Sequence, residues 1–356
     1  MTRAVDADVV VAGGGPSGLG TAIHAALAGL SAIVVEPRAA PIDKACGEGL
    51  MPAGVRALER LGVTIAESRP FAGIRYVQGD ARAEGRFRGG RGLGIRRTVL
   101  HAGLAARAEA VGVRTVAGRV EAVREGGDGV EAAVAGAGAL RARWLVAADG
   151  LHSRLRRDLG LEVPARNPGR YGIRRHFRIA PWADLVEVHW AEDAEAYVTP
   201  VAADLVGVAV LFARETRGPA RGGFDDVLAR FPALVERLRG APAVGADLGG
   251  GPFERRARRP GRGRVLLVGD AAGFLDPITG EGVRLGLAEA RALVRCVAEG
   301  RPEDYEREWR RLWSRYSLVT SGLLRLARSP RLRPWIVPFL RRFPGLFDRA
   351  LGALGG

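Results

Sequence analysis

The chain has 356 residues, 47% of them hydrophobic, and 54 basic against 39 acidic residues give it a net charge of +15 at pH 7. The apolar fraction excludes a disordered protein, and the length fits two domains or one large α/β unit. Because Lys44 is the single lysine and the arginines are scattered, without stacking aromatics between them, we predict no nucleic-acid partner.

The cysteines and the apolar runs bear on the cellular compartment. Two cysteines, Cys46 and Cys296, give no disulfide framework. The N-terminal apolar run is too short for a signal peptide, and no run approaches the roughly 18 apolar residues of a membrane span. We therefore predict a cytoplasmic protein.

The first element is a strand at residues 8–12, a glycine turn, a helix, and a second strand that ends on Glu36. In this context the G-x-G-x-x-G spacing predicts a dinucleotide-binding turn, since glycines allow close pyrophosphate approach and an acid can accept from a ribose hydroxyl. Glu36 would repel a 2′-phosphate, which favours FAD or NAD. The predicted cofactor-binding residues here are Gly13, Gly15, Pro16, Ser17, Gly18, Glu36, Pro37 and Arg38.

The next run, DKACGEGLMPAGV at residues 43–55, places Cys46 and Glu48 among small residues, which suggests a backbone close to a ligand. Cys46 is either a small buried residue or a catalytic thiol, and the residues alone leave both open. We take Cys46 and Gly47 as candidate catalytic residues and Gly49 as cofactor-binding. Pro52 is predicted to open a helix.

The middle of the chain alternates short elements. Residues 71–94 are predicted as strand-like pieces that leave the nucleotide domain. Thr98 is predicted to cap a helix that stops at Gly112, with Arg97 either a surface arginine or a phosphate or ribityl contact. Residues 113–134 are predicted as a β-meander, with Val120 as a cofactor contact.

A strand at residues 144–148 then ends in Asp149 and Gly150, both predicted to bind cofactor, within a DG-x-x-S-x-x-R element. Four strands of an antiparallel sheet are predicted between residues 166 and 212, and one helix over residues 224–238. His176 and His189 lack metal-ligand spacing, so we predict structural roles and no metal site.

A second glycine-rich loop, GDAAGFLDPITGEGV, runs from Gly269 to Val283 between a short strand and a helix. Asp270 stands at a strand end, where open α/β sheets bind ligands, and the helix start favours a negative group. The predicted cofactor-binding residues are Gly269, Asp270, Gly280, Glu281, Gly282 and Val283, and Pro277 is a candidate catalytic residue. An amphipathic helix from Pro302 and an arginine-rich aromatic tail follow, either as a helical cap or as a weak membrane-surface contact.

These strand-end loops, in this order, resemble the flavoprotein monooxygenase and reductase branch of the glutathione-reductase superfamily, which includes p-hydroxybenzoate hydroxylase and the geranylgeranyl reductases. The resemblance covers about residues 8 to 300 and implies FAD in an extended form. It implies the pyrophosphate at the first glycine turn, the adenosine ribose at Glu36, the FAD chain at Arg97, and the ribityl at Asp270. It also implies that Asp149 and Gly150 serve FAD and transient NAD(P)H, and that the helix after Gly280–Gly282 starts beside the flavin N1 and C2 carbonyl.

The expected fold is α/β: a Rossmann-like FAD-binding domain with a parallel sheet and β-meander, an antiparallel-sheet substrate domain, and a C-terminal helical segment. The expected division is FAD-binding at 1–70, 96–165 and 255–300, a substrate-domain excursion at 71–95, the substrate domain at 166–254, and the helical cap at 301–356.

The reaction subtype rests on fewer residues. Gly273 stands where aromatic hydroxylases usually carry histidine, the CGEG run is similar to the CG-x-G of geranylgeranyl reductases, and Tyr197-Val-Thr-Pro200 matches their lipid-pocket motif only in part. We predict an FAD-dependent, NAD(P)H-reduced monooxygenase acting on a small apolar aromatic or polyketide-like substrate. The alternative is a reductase of isoprenoid or enone C=C bonds in which Cys46 donates the proton. A third possibility is a flavin-binding protein without turnover.

Overall fold

The computed structural model describes residues 5–165, 169–213 and 223–355. The predicted start of the substrate domain at residue 166 lies outside the described residues. In chain order the strands are β1 Ala7–Ala12, β2 Ala32–Glu36, β3 Gly49–Leu50, β4 Arg69–Phe71, β5 Gly73–Gln78, β6 Ala81–Arg86, β7 Gly92–Gly94, β8 Arg114–Ala117, β9 Val120–Glu125, β10 Val130–Val134, β11 Gly138–Ala147, β12 Glu162–Val163, β13 Arg170–Arg178, β14 Val186–Trp190, β15 Ala194–Pro200, β16 Leu205–Ala213, β17 Ala243–Gly250, β18 Arg255–Ala257, β19 Gly261–Arg262, β20 Val265–Leu267 and β21 Gly273–Phe274.

The helices are α1 Pro16–Leu27, α2 Pro52–Leu61, α3 Arg97–Ala110, α4 Arg154–Asp158, α5 Phe224–Leu228, α6 Pro232–Arg237, α7 Gly282–Ala298, α8 Asp304–Arg328, α9 Arg333–Arg342 and α10 Pro344–Gly355. Two single 3-10 turns, Gly269–Ala271 and Pro277–Thr279, lie in the second glycine-rich loop.

The central sheet has the order β19-β20-β11-β1-β2-β8, and the neighbours from β20 to β8 are parallel. β9 and β10 continue it from the first half of β11 as an antiparallel meander. The strand β2 is buried along its whole length, as expected when helices cover both faces of a parallel sheet. Helices α1 and α7 pack closely on each other. Gly20 allows this approach, since a Cβ there would lie only 2.5 Å from the Leu287 side chain.

The second sheet has the order β17-β13-β16-β15-β14-β5-β6 and is antiparallel except for the β14–β5 pair. It therefore combines strands from two separated parts of the chain. Together with the C-terminal helices, these sheets confirm the predicted fold class.

Two details of the prediction are wrong. Residues 224–238 form two short helices, because Pro232 lacks an amide hydrogen and pushes Phe231 out of helical geometry. Thr98 does not cap α3, which begins at Arg97 without a local side-chain cap. Instead the Glu48 carboxylate, 49 residues away in sequence, accepts the Arg97 amide hydrogen at 2.8 Å.

The C-terminal helices cover the outer strands of the second sheet. The buried side chains of Val337, Phe347 and Leu351 join one apolar cluster with Tyr76 and Trp190. Among the described residues, no helix has the length and apolar character needed to cross a bilayer.

Candidate functional site

The first glycine turn connects β1 to α1, and sterics alone require its glycines. Gly13 has φ +113°, and a Cβ there would lie 2.4 Å from the Ala148 carbonyl oxygen. A Cβ on Gly18 would lie 1.9 Å from the carbonyl oxygen of Gly13. Pro16 occupies the first turn of α1, and Gly15 leaves the helix start without a side-chain cap. Such a helix start presents free amide hydrogens to a phosphate.

Glu36 ends β2 beside this turn and is buried. Its carboxylate accepts the Gly14 amide hydrogen at 2.8 Å and the Arg38 Nε hydrogen at 2.8 Å. Burial acts to raise the pKa of Glu36, but these hydrogen bonds outweigh it and hold the pKa below its usual value of 4.5. An ionised acceptor thus stands at the strand end. Pro37, which lies between Glu36 and Arg38 in the chain, is exposed.

Arg97 lies beside the start of α1, at the predicted pyrophosphate position. Its guanidinium lies about 4.0 Å from where a Cβ on Gly15 would stand, and the side chain is buried. The buried Nε has no hydrogen-bond partner within the described protein atoms. Because buried polar groups are normally paired, an arginine with a spare donor beside an uncapped helix start fits an anionic group such as the pyrophosphate of FAD.

The second strand-end loop is held by its own motif. The Asp149 carboxylate accepts amide hydrogens from Arg154 at 2.9 Å and Leu155 at 3.2 Å, and Gly150 has φ +84°. Arg156 is completely buried and donates to the carbonyl oxygens of Leu151, Asp270 and Ala271 at 2.9, 3.2 and 3.0 Å. Sequence reasoning noted the motif but missed that its terminal arginine ties this loop to the Asp270 loop.

The Asp270 loop is anchored by another residue that the sequence interpretation missed. The Gly269 amide donates to the Glu289 carboxyl at 2.7 Å, and Glu289 is completely buried on α7. Burial raises the pKa of Glu289 to about 8, so this carboxyl is neutral at pH 7. Gly269 has φ +62°, and a Cβ there would lie 2.3 Å from the Ser17 hydroxyl. Ser17 thus sits between the first and last loops. The sequence signal that could have identified Glu289 is an acidic residue on the apolar face of a predicted helix.

Residues 276–283 lead into α7. Pro277 opens a 3-10 turn in which the Asp276 carboxylate accepts the Ile278 amide hydrogen at 3.0 Å. Gly280, at φ +65°, reverses the chain before α7 starts at Gly282 without a side-chain cap. The Glu281 carboxylate accepts from Arg284 at 2.6 Å. A second open helix start therefore lies at the predicted flavin end, with Val283 in its first turn.

The loop around Cys46 lies between the two sheets. Lys44 Nζ contacts the Asp270 carboxylate at 2.9 Å, and the Thr199 hydroxyl of β15 donates to the Gly47 carbonyl oxygen at 2.7 Å. Cys46, half-buried, is thereby placed between the Asp270 loop and the second sheet. The second contact also joins Gly47 of this loop to Thr199 of the second sheet.

Buried ionic contacts fix the same loop. Glu48 has φ +60°, a strained value for a residue other than glycine, and its carboxylate lies 2.6 Å from His176 Nε2. Arg174 contacts the Asp43 carboxylate at 2.6 Å and lies 3.8 Å from that of Glu48. The sequence interpretation named Glu48 without giving it a role and did not single out Arg174, because nothing in the linear pattern pairs residues 48 and 174.

Two predicted contacts fall elsewhere in the packing. Val120 begins β9 and is buried in the core of the central sheet. Gly49 faces Val186, Phe71 and Thr199, which a Cβ would meet at 3.6 to 3.8 Å. Their roles towards a cofactor stay predictions. No group of three or more His, Cys, Asp or Glu within the described ranges could hold a metal.

Comparison with known proteins places this geometry in a family. The family described as FAD binding domain matches residues 6–303. Menaquinone reductase from Mycolicibacterium smegmatis is 27% identical over 98% of this chain and 91% of its own length. Digeranylgeranylglycerophospholipid reductase 1 from Methanopyrus kandleri is 31% identical over 83% of this chain and 82% of its own.

Two further relatives are longer than this chain. Dialkyldecalin synthase from Streptomyces rugosporus and rifampicin monooxygenase from Streptomyces venezuelae are 29% and 28% identical over 79% and 80% of this chain. The chain spans only 63% and 62% of their lengths. A flavoprotein/dehydrogenase structure from Cytophaga hutchinsonii, 18% identical, superposes with a TM-score of 0.86 over 98% of this chain and 92% of that one, which shows a shared fold.

The glycine turn, the ionised acid at the end of β2, the spare arginine donor and the two open helix starts fit an extended FAD, and the family match covers all of them. The chain therefore belongs to the FAD binding domain family and is an FAD-dependent oxidoreductase.

Proposed function

We propose that this protein is an NAD(P)H-reduced flavoenzyme that reduces a C=C bond of an apolar isoprenoid substrate. The observation that carries the proposal is the position of Cys46, between Lys44, which contacts Asp270, and Gly47, which contacts Thr199. A thiol at this junction stands between the predicted ribityl anchor and the sheet that would line a substrate. The curated relatives that this chain matches along about nine-tenths of their length are named as reductases.

The chain's own residues would hold FAD along the loops described above. Arg97 and the start of α1 would neutralise the pyrophosphate, Glu36 would accept from the adenosine ribose, and Asp270 would accept from the ribityl chain. The start of α7 would favour negative charge at the flavin end by about 0.3–1 kcal/mol. Bound FAD, once reduced by NAD(P)H, would supply the hydride, because no protein side chain can.

Cys46 would supply the proton that completes the reduction. Adding hydrogen to a C=C bond takes one hydride and one proton, and the thiol is the group that the loop presents at the junction. Asp43, Gly47 and Glu48 would keep it in place through contacts with Arg174, Thr199 and His176 of the second sheet. Half-burial of Cys46 leaves it a path for reprotonation from water.

The test is reduction under nitrogen. FAD-loaded protein, NADPH or NADH, and a menaquinone with a short isoprenoid chain would be incubated anaerobically, and the product mass measured. The product is exposed to air before the mass is measured, which returns any quinol to the quinone. We expect a remaining gain of two hydrogens, located in the isoprenoid chain. Cys46→Ser should lower the rate about 100-fold, while Cys296→Ala, which removes the other cysteine, should leave it unchanged. No anaerobic product, or an unchanged rate for Cys46→Ser, would count against the proposal.

A second candidate is the hydroxylation predicted from sequence, which the resemblance to rifampicin monooxygenase favours. It requires oxygen, so an oxygen electrode separates the two reactions in one experiment. Substrate-stimulated oxygen consumption with NAD(P)H, together with a product that gains one oxygen atom, would establish the monooxygenase and refute the reductase.

A further inference from the structure

The C-terminal helices carry an exposed apolar surface that the flavin site does not use. Within the described part of the chain ten large apolar side chains are exposed, and seven of them lie between residues 318 and 346. Trp335 is 70% exposed and Phe339 is 50% exposed. Large exposed apolar side chains concentrated in one segment mark an interaction surface.

Helix α9 is apolar on two sides. Val337 is fully buried, and Ile336 and Leu340 pack with it against the second sheet. Trp335 and Phe339, four residues apart, project from the exposed side. The core therefore accounts for one side of α9 and not for the other. The exposed apolar residues of this segment, here called the C-terminal apolar face, are Leu332, Trp335, Phe339, Phe343 and Leu346.

The chain segment that carries this face is basic, and the first carboxylate after it, Asp348, lies 3.8 Å from the Arg88 guanidinium. Residues 309–347 contain nine arginines and no aspartate or glutamate. Within the described residues no carboxylate forms an ion pair with six of these arginines, which are Arg325, Arg328, Arg331, Arg333, Arg341 and Arg342. Arg342 lies over the Phe343 ring at 5.9 Å. Aromatic side chains flanked by unpaired arginines match the apolar and anionic layers of a phospholipid surface.

We propose that the C-terminal apolar face docks on an anionic phospholipid membrane, with Trp335 and Phe339 inserted at the level of the headgroups. A second copy of this chain is a poorer occupant, because a two-fold dimer through this face would bring two sets of unpaired arginines together. A partner protein would need an acidic surface to bind beside these arginines.

The position of the face gives docking a consequence. The buried side of α9 belongs to the same apolar cluster as Met51 and Ile278, which neighbour the Cys46 loop and the Pro277 turn. Membrane contact would thus bring the outer part of the second sheet close to the bilayer, where apolar substrates partition. Docking does not depend on whether the enzyme reduces or hydroxylates its substrate, so the two proposals fail separately.

The test is sedimentation of the full FAD-loaded chain with vesicles of phosphatidylcholine alone or with added phosphatidylglycerol. We expect binding only to the anionic vesicles. The double variants Trp335→Ser with Phe339→Ser, and Arg341→Gln with Arg342→Gln, should each weaken it about tenfold or more. Matched surface controls are Leu27→Ser with Val235→Ser, and Arg114→Gln with Arg124→Gln, which should bind like the parent chain.

Equal binding of the parent and both α9 variants would overturn the proposal, as would absence of binding to anionic vesicles. Dimerisation that the Trp335→Ser and Phe339→Ser changes abolish, without vesicle binding, would assign the face to a second copy instead. If a double variant unfolds, brominated lipid can be used to quench tryptophan emission in the parent chain and in Trp335→Phe. We expect less quenching in Trp335→Phe, and equal quenching in the two proteins would refute insertion of Trp335.

Discussion

Two loops of the predicted cofactor site are held in shape by different interactions. The glycine turn at Gly13–Gly18 takes its shape from main-chain sterics, because a Cβ at either glycine would overlap a carbonyl oxygen. The Cys46 loop takes its shape from side chains that arrive from more than 100 residues away, such as Arg174 and His176. The glycine turn has no room for an added side-chain atom. In the Cys46 loop the cost of a substitution depends on whether it leaves a buried charge without its partner.

The largest expected effect on FAD binding is at the sterically defined end. Gly18→Ala would place a Cβ 1.9 Å from the Gly13 carbonyl oxygen, so the turn must open. We expect strain of about 1–3 kcal/mol and at least a tenfold loss of FAD affinity, measured by absorbance and equilibrium dialysis. Gly322→Ala, on α8 with no atom within 4 Å, is the control and should bind FAD normally. Full FAD occupancy in Gly18→Ala would show that the turn tolerates an added Cβ.

The largest expected effect on the free energy of unfolding is at the ionic end. Glu48→Ala would leave His176 and the start of α3 without their shared carboxylate. We expect a loss of about 3–5 kcal/mol in the free energy of unfolding, measured in urea. Glu48→Gln keeps an acceptor and should lose less, and Glu67→Ala, which is exposed, should lose almost nothing. A loss below 1 kcal/mol for Glu48→Ala would show that the loop does not depend on this pair.

A pH effect follows from Glu289, which holds the Asp270 loop. The folded protein keeps this proton up to a pKa of about 8, whereas the unfolded chain releases it near 4.5. The contribution of Glu289 is therefore complete below pH 4.5 and falls as the pH rises towards 8, by about 3–4 kcal/mol between pH 5 and 8. Glu289→Gln, neutral at every pH, should remove this component from the unfolding free energy. Identical pH slopes for variant and parent would contradict the assignment.

The smallest effect is expected at the Lys44–Asp270 pair, because both side chains are partly exposed. Lys44→Met should change stability by less than about 1 kcal/mol and FAD affinity by less than about fivefold. Asp270→Ala should weaken FAD retention clearly more, since it removes the predicted ribityl acceptor. Isothermal titration of both apoproteins with FAD measures the difference. If Lys44→Met lost as much affinity as Asp270→Ala, the exposed pair would rank with the buried contacts.

Much of the fold was predictable, because local patterns encode it. The apolar run of β1, the glycine spacing and the acid at the end of β2 lie within 30 residues, and the structure places them together. The prediction of a single helix over residues 224–238 was wrong because Pro232 interrupts it. The prediction of a Thr98 cap was wrong because the distant Glu48 carboxylate accepts the Arg97 amide hydrogen at the start of α3. The roles of the predicted residues towards FAD stay predictions.

The strand-end loops and their order can be read from the sequence alone, because backbone sterics and strand and helix periodicity act between near neighbours. Which side chains hold those loops depends on the tertiary fold. Arg156 reaches the Asp270 loop 114 residues on, and His176 reaches Glu48 across 128 residues. Such pairings depend on how two sheets pack, and no local pattern records that packing. The same holds for the C-terminal apolar face, which is exposed only because the other side of α9 is already buried.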